Sequence, residues 1–186
     1  MLDALTDASP VQLIGYCGTL GGMVWPFCRG RIAMLSVQLV PTVCFSIHLA
    51  MLGATTGAAL NALATLQVLA AIPLGTHPNF RILYLMILPV IALLMAATWN
   101  GLPSLCAAAA MALMSIGRYQ TEVVPFRLFM LLALPCWLAH NTLVGSLPAM
   151  LSDIVGITVN LWMLAQTGTL GRPAQKLTKA SGSCPK

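Results

Sequence analysis

The sequence predicts an all-α membrane protein, with seven transmembrane helices arranged as two parallel three-helix bundles joined by a linker helix. An apolar composition, seven hydrophobic runs and an internal repeat predict this fold. Of the 186 residues, 59% are hydrophobic and 7% are charged, and the mean hydropathy is +0.89. Soluble domains carry about 25% charged residues. The composition therefore excludes a soluble domain, and no nucleic-acid partner is expected despite the net charge of +5.

Each hydrophobic run has about the length of a membrane-spanning helix, which needs about 17–25 apolar residues. The runs cover residues 11–27, 32–52, 54–74, 80–99, 102–116, 124–144 and 147–166. The chain then divides into an extracytoplasmic N-terminus, a first bundle, a linker helix, a second bundle and a basic cytoplasmic tail, at residues 1–10, 11–74, 80–99, 102–166 and 167–186. The N-terminus lacks the basic residues of a signal peptide, so we expect the first helix to be retained.

The basic residues predict the orientation of the helices. All nine fall in connections that an odd number of crossings places on one face: Arg29, Arg31, Arg81, Arg118, Arg127, Arg172, Lys176, Lys179 and Lys186. Lysine and arginine are enriched in cytoplasmic connections, so we expect the N-terminus outside and the C-terminus in the cytoplasm. An even number of helices would scramble this separation, which supports seven.

An internal repeat appears when the chain is aligned with itself at a shift of 92 residues. The shift pairs Cys44 with Cys136, His48 with His140, Gly53 with Gly145, and Asn61 with Asp153. It lays the first three helices on the last three and leaves the fourth as a linker. One linker helix makes the two units parallel, related by an axis along the membrane normal, as in SWEET transporters.

Two histidines and their repeat partners predict polar pairs inside the membrane. His140 and Asp153 lie equally far from the turn between the sixth and seventh helices, as do His48 and Asn61 from the turn between the second and third. Each pair should share one depth and be in contact, as a structural or proton-linked pair. Two interpretations remain open: the pairs only lock helices together, or Asp153 faces a water-filled cavity and binds a polar solute or a proton.

Four residues are candidates for substrate binding: Asn61, Asp153, Asn160 and Trp137. Asn160 lies two turns beyond Asp153 on the same face of its helix, and Trp137 is deep enough in the membrane to stack on a ligand or to pack against other helices. Trp25, near a helix end, fits an aromatic belt at the membrane surface. Recognisable metal, nucleotide and acyl-enzyme motifs are absent, so no catalytic residue, metal, cofactor or enzymatic activity is expected.

Short motifs surround these polar residues: Leu60-Asn61-Ala62, His140-Asn141, Gly145-Ser146, Asp153 and Asn160. Together they resemble the YgjV-type bacterial inner-membrane proteins, which are grouped with the SWEET, SemiSWEET and PQ-loop proteins. The resemblance spans residues 11–166 and implies a bacterial inner-membrane location. It also implies that an asparagine on the third helix of each bundle lines a solute pocket, a role that falls on Asn61 and on Asn160 or Asp153. The chain has Val40-Pro41-Thr42 in place of the Pro-Gln dipeptide of PQ-loop helices, so a sugar is not assigned as the solute.

These features predict a transporter of a small polar solute; the alternative is a non-transporting membrane scaffold or accessory subunit. The expected partners are the lipid bilayer and the solute, and a homo-oligomer is left open. A water-accessible cavity lined by Asn61, Asp153 and Asn160 favours transport. Dry packing around all three favours the scaffold.

Overall fold

The computed structural model describes residues 9–74 and 77–166, which are helical with short connections. The predicted N-terminal segment and basic tail lie almost entirely outside these residues. A 3-10 turn, Trp25–Phe27, follows the first helix. The helices are α1 Pro10–Val24, α2 Arg31–Met51, α3 Thr55–Leu74, α4 Pro78–Arg81, α5 Leu83–Met86, α6 Leu88–Ala97, α7 Leu102–Tyr119, α8 Val123–Leu143 and α9 Leu147–Gln166.

Six segments of the described chain are long and apolar enough to cross a membrane: α2, α3, the stretch Asn79–Ala97 that contains α5 and α6, α7, α8 and α9. The remaining helix, α1, has 15 residues, and the 3-10 turn extends it to Phe27. Its N-cap residue is Ser9, whose side chain accepts a hydrogen bond from the backbone N–H of Gln12, and Pro10 lies in the first turn. Proline is favoured there because a backbone N–H in the first turn has no partner within the helix, so a residue without an N–H loses no hydrogen bond.

The predicted boundaries need two corrections. The fourth run is broken into α4, α5 and α6 instead of forming one helix. Pro89 lies in the first turn of α6, and because proline has no N–H to donate to the preceding turn, the helix restarts just before it. The fifth helix continues to Tyr119, beyond the predicted end at Ile116, because Arg118 is buried inside the protein.

The two turns expected to correspond in the repeat have the same backbone structure. Gly53 and Gly145 both adopt positive φ angles, 75° and 72°, a conformation that glycine adopts without the steric penalty of a side chain. In the first turn the N–H of Ala54 donates to the carbonyl of Leu49 at 2.9 Å, and in the second that of Ser146 donates to Asn141 at 2.9 Å. This bond closes the last turn of α2 and of α8.

The connections meet at two ends of the helix bundle. At one, the basic end, Arg31, Arg81 and Arg127 bond to backbone carbonyls of the α1–α2 and α7–α8 connections and of the end of α7. At the opposite end, the starts of α1 and α7 bond to the ends of α2 and α8. The long helices of each half therefore alternate in direction. Between the halves, α1 packs against α9 and α3 packs against α7.

Candidate functional site

A cavity of about 70 Å³ lies between the long helices. This volume has room for several water molecules, since one molecule needs about 10–15 Å³. The first half supplies Gly22, Trp25, Gln38, Pro41, Thr42, Phe45, Leu49 and Asn61, and the second Met114, Met130, Ala133, Leu134, Trp137, Asn141, Ala149, Ser152 and Asp153. Three of the four predicted substrate-binding residues line it: Asn61, Trp137 and Asp153. Trp25, placed by the sequence in a surface belt, is 6% exposed and lines the cavity instead.

Asp153 is held by Asn141. The side-chain amide Nδ2 of Asn141 donates to Oδ2 of the carboxylate at 2.7 Å. Both side chains are buried, on adjacent antiparallel helices and 12 residues apart in sequence. The carboxylate therefore has a donor that holds it at the cavity wall.

The predicted contact between His140 and Asp153 is wrong. Nδ1 of His140 bonds to the carbonyl of Pro103 at 2.8 Å, and its ring packs edge-on against Trp137. Successive residues of a helix are rotated by about 100°, so His140 and Asn141 face different neighbours although they share a depth. Asn141 faces α9, and His140 is turned toward the start of α7.

The predicted contact between His48 and Asn61 is wrong for the same reason. His48 bonds through Nδ1 to the carbonyl of Val11 at 2.9 Å and through Nε2 to Oγ of Ser146 at 2.9 Å. Asn61 donates to the carbonyl of Gly57 in its own helix at 3.0 Å. Val11 and Pro103 are themselves 92 residues apart, so the two histidines make the same bond in the two halves.

The second ring nitrogen distinguishes the two histidines. His140 Nε2 is buried without a hydrogen-bond partner among the described residues. The residue of the first half that corresponds to Ser146 is Ala54, which has no hydroxyl to offer. A Cβ on Gly57 would lie 2.3 Å from His140 Nε2, so the imidazole also requires a glycine on α3.

Asn160, the fourth predicted substrate-binding residue, does not line the cavity. It is fully buried, and its Oδ1 accepts a hydrogen bond from Nη1 of Arg127 at 3.0 Å. Its Nδ2 donates to the carbonyl of Gly156 in the same helix. Asn160 therefore ties α9 to α8 at the level of Arg127.

Two arginines join the halves at the basic end. Arg127 donates to the carbonyls of Pro26 and Cys28 in the α1–α2 connection. Arg31 donates to the carbonyls of Arg118, in the last turn of α7, and of Gln120, in the α7–α8 connection, at 2.9 and 3.0 Å. The shift of 92 residues relates the two pairs of accepting carbonyls, Pro26 to Arg118 and Cys28 to Gln120. Each half thus supplies one arginine that binds the other half's connection, and we call these two contacts the arginine clasps.

A third buried arginine, Arg118, has no solvent exposure. Its Nη1 donates to Oε1 of Gln67 at 2.6 Å, and Nε2 of Gln67 donates in turn to Oγ of Ser115 at 2.8 Å. Arg81 lies 4.5 Å above the ring of Tyr119 and also donates to its carbonyl. These bonds fasten α3 and α4 to the end of α7.

Sequence reasoning used the arginines only to orient the helices and did not predict their burial. One signal was available, because residues 26 and 28 are related to residues 118 and 120 by the same shift of 92. The partners are backbone carbonyls, however, which no residue type reveals.

A family model described as bacterial inner membrane protein, Imp-YgjV, matches residues 9–169. The chain belongs to this family. The match covers every cavity-lining residue and both arginine clasps, and it confirms the family that the short motifs indicated. Searches of curated proteins and of solved structures found no match.

Proposed function

We propose that this inner membrane protein carries a small polar solute across the bilayer through the cavity between its two halves. The cavity itself is the observation that carries the proposal, because an intramembrane carboxyl group and several amides line a space large enough for water. Polar groups within a membrane are costly and usually mark a solute or ion pathway. No catalytic role is proposed.

We further infer a SWEET-like architecture, in which α1–α3 and α7–α9 are parallel three-helix bundles and α4–α6 form the linker. The corresponding glycine turns, histidine bonds and arginine-bound carbonyls support a rotation about the membrane normal that exchanges the halves. So does the packing, since α1 on α9 and α3 on α7 are equivalent contacts under that rotation. In such transporters the solute site lies at the interface between repeats.

Contacts at the two ends suggest how access to the cavity alternates. The arginine clasps bridge the halves at the basic end. At the opposite end His48 bonds to Ser146, and Oγ1 of Thr19 donates to the carbonyl of Pro148 at 2.7 Å. Rocking of one half against the other would break one set of bridges while the other holds, which exposes the cavity to one side at a time.

One observation favours the alternative, a membrane scaffold. Asn160 and Arg127 are buried, and they bond to each other and to backbone carbonyls. Polar bonds of this kind stabilise packed transmembrane helices without any solute. Transport must therefore be tested directly.

Osmotic swelling of vesicles containing the purified protein tests the proposal. Amines, amides, polyols and sugars are supplied one at a time, and swelling is followed by light scattering against protein-free vesicles. We expect faster swelling with at least one class. Ala133→Leu, which adds bulk at the cavity wall, should slow it, whereas Thr158→Ala, an exposed position on α9, should not. Folded protein that accelerates no solute would overturn the proposal and favour the scaffold.

A further inference from the structure

The charge of the cavity restricts what it can bind. Of the described residues that line it, Asp153 is the only one with an ionisable carboxyl, imidazole, guanidinium or ammonium group. The nearby histidines and arginines are turned to other partners, His48 and His140 toward backbone carbonyls and Arg127 toward Asn160. An anionic solute would meet the carboxylate without a cationic partner in the wall. A cation would meet the carboxyl group of Asp153.

Two hydrogen-bond acceptors of the wall are left without donors among the described residues. Oε1 of Gln38 and Oδ1 of Asn141 are buried and accept no hydrogen bond among the described residues. Both side chains are more than nine-tenths buried, at 3% and 4% exposed. One N–H of each amide is already used, on Sδ of Met130 and on the carboxyl group of Asp153. Among the described residues Asp153 receives one bond, to Oδ2, so its other oxygen is also an open acceptor.

The remaining wall is aromatic and sulfur-containing. Trp25, Phe45 and Trp137 line the cavity together with Met114 and Met130. Trp137 is fixed by a bond from its Nε1 to Sδ of Met114 at 3.0 Å. Aromatic faces attract cations through their quadrupole, and tryptophan does so most strongly. Such a surface also accommodates the carbon atoms of an organic solute.

From this arrangement we propose that the cavity binds a small primary ammonium ion, with the nitrogen at Asp153 and the carbon chain among the aromatic rings. An ammonium group carries three donors and no acceptor, which complements the carboxyl group of Asp153 and the two unpaired amide oxygens. The proposal names the solute class of the transport site and so rests on the proposed function for its physiological meaning. The binding step can be measured without transport.

Calorimetric titration of the purified protein with two probes of equal size tests this assignment. Protonated ethanolamine and ethylene glycol differ in having an ammonium group or a hydroxyl group. We expect ethanolammonium to bind at least about tenfold more tightly, a difference of about 1.4 kcal/mol. Tetramethylammonium, a cation without N–H donors, should bind more weakly than ethanolammonium. Equal affinity for ethanolammonium and glycol would overturn the charge argument, and equal affinity for the two cations would overturn the donor argument.

Variants locate the site. Asp153→Asn keeps the size of the side chain and should abolish the preference for ethanolammonium over glycol, while Thr158→Ala on the same helix should keep it. An unchanged preference in Asp153→Asn would place the cation elsewhere and overturn the assignment. Should that variant fail to fold, the comparison of probes on the unaltered protein still decides the charge argument.

Swelling assays separate the two proposals. Neutral solutes carried without preference for amines would refute this assignment alone, and binding of ethanolammonium by a protein that carries no solute would refute transport alone.

Discussion

Removing the amide of Asn141 should destabilise the protein through Asp153. Leucine has nearly the shape of asparagine and occupies the corresponding position of the first half, at Leu49, so Asn141→Leu removes the donor with little change in packing. A buried acceptor left without its partner costs about 1–3 kcal/mol. Polar pairs between membrane helices average about 0.6 kcal/mol and reach about 1.7. The 2.7 Å bond to a carboxylate belongs in the upper part of that range, so we expect a loss of about 1–2 kcal/mol.

A double-mutant cycle measures this coupling. Unfolding in mixed micelles is compared for the unaltered protein, Asn141→Leu, Asp153→Leu and the double variant. We expect a coupling of about 1–2 kcal/mol, because the double variant replaces both partners by apolar groups. The matched cycle pairs His140→Leu with Asp153→Leu and should show less than about 0.5 kcal/mol. A larger coupling to His140 than to Asn141 would refute the hydrogen-bond assignment.

Three further substitutions test the buried polar groups in the same unfolding assay. Ala54→Ser should give Nε2 of His140 the hydroxyl partner it lacks and stabilise the fold by about 0.5–1.5 kcal/mol. Gly57→Ala should cost about 1–3 kcal/mol, because its Cβ would lie 2.3 Å from that same nitrogen. Gln67→Leu should cost about 1.5–3 kcal/mol, because it removes a hydrogen-bond partner of the buried guanidinium of Arg118.

Each substitution has a control with a defined outcome. Ser146→Ala removes the hydroxyl that bonds to His48 and should destabilise the fold, the opposite of the effect expected for Ala54→Ser. A gain in stability from both substitutions would contradict the repeat argument. Gly30→Ala places its Cβ where no atom lies within 4 Å, and a loss equal to that of Gly57→Ala would remove the steric explanation. Adding Arg118→Met to Gln67→Leu should recover stability, since an apolar pair replaces the unpaired charge. No recovery would show that Gln67 acts by packing.

The positions of the helices could be predicted because long apolar runs report directly on membrane spans. The segment 147–166 was predicted to the residue, and the glycines after α2 and α8 mark real turns of positive φ. The first, second, third and sixth helices differ from prediction by only a few residues at their ends. The fourth predicted span is confirmed as the stretch Asn79–Ala97, but apolar composition gave no sign of its proline-induced break.

The partners of the polar residues could not be predicted from depth alone. Equal distance from a turn placed His140 near the level of Asp153, but the direction of a side chain around its helix decides which neighbour it meets. Asn141, one residue further on, faces α9. Bonds to backbone carbonyls, such as those of both histidines and both arginine clasps, are invisible to any search for complementary side chains.

The two halves contribute different chemical groups to the wall of the cavity. At corresponding positions the first half has Leu49 and Asn61 where the second has Asn141 and Asp153, so the bonded carboxylate exists only on the second half. A pathway with identical halves would present the same groups from both sides and would not orient an asymmetric solute. In the proposed assignment the second half supplies the carboxyl group and the first half supplies Phe45, so a solute with one charged end and one apolar end would be held in a single orientation. Under this proposal, the differences between corresponding positions of the two halves would make the site selective.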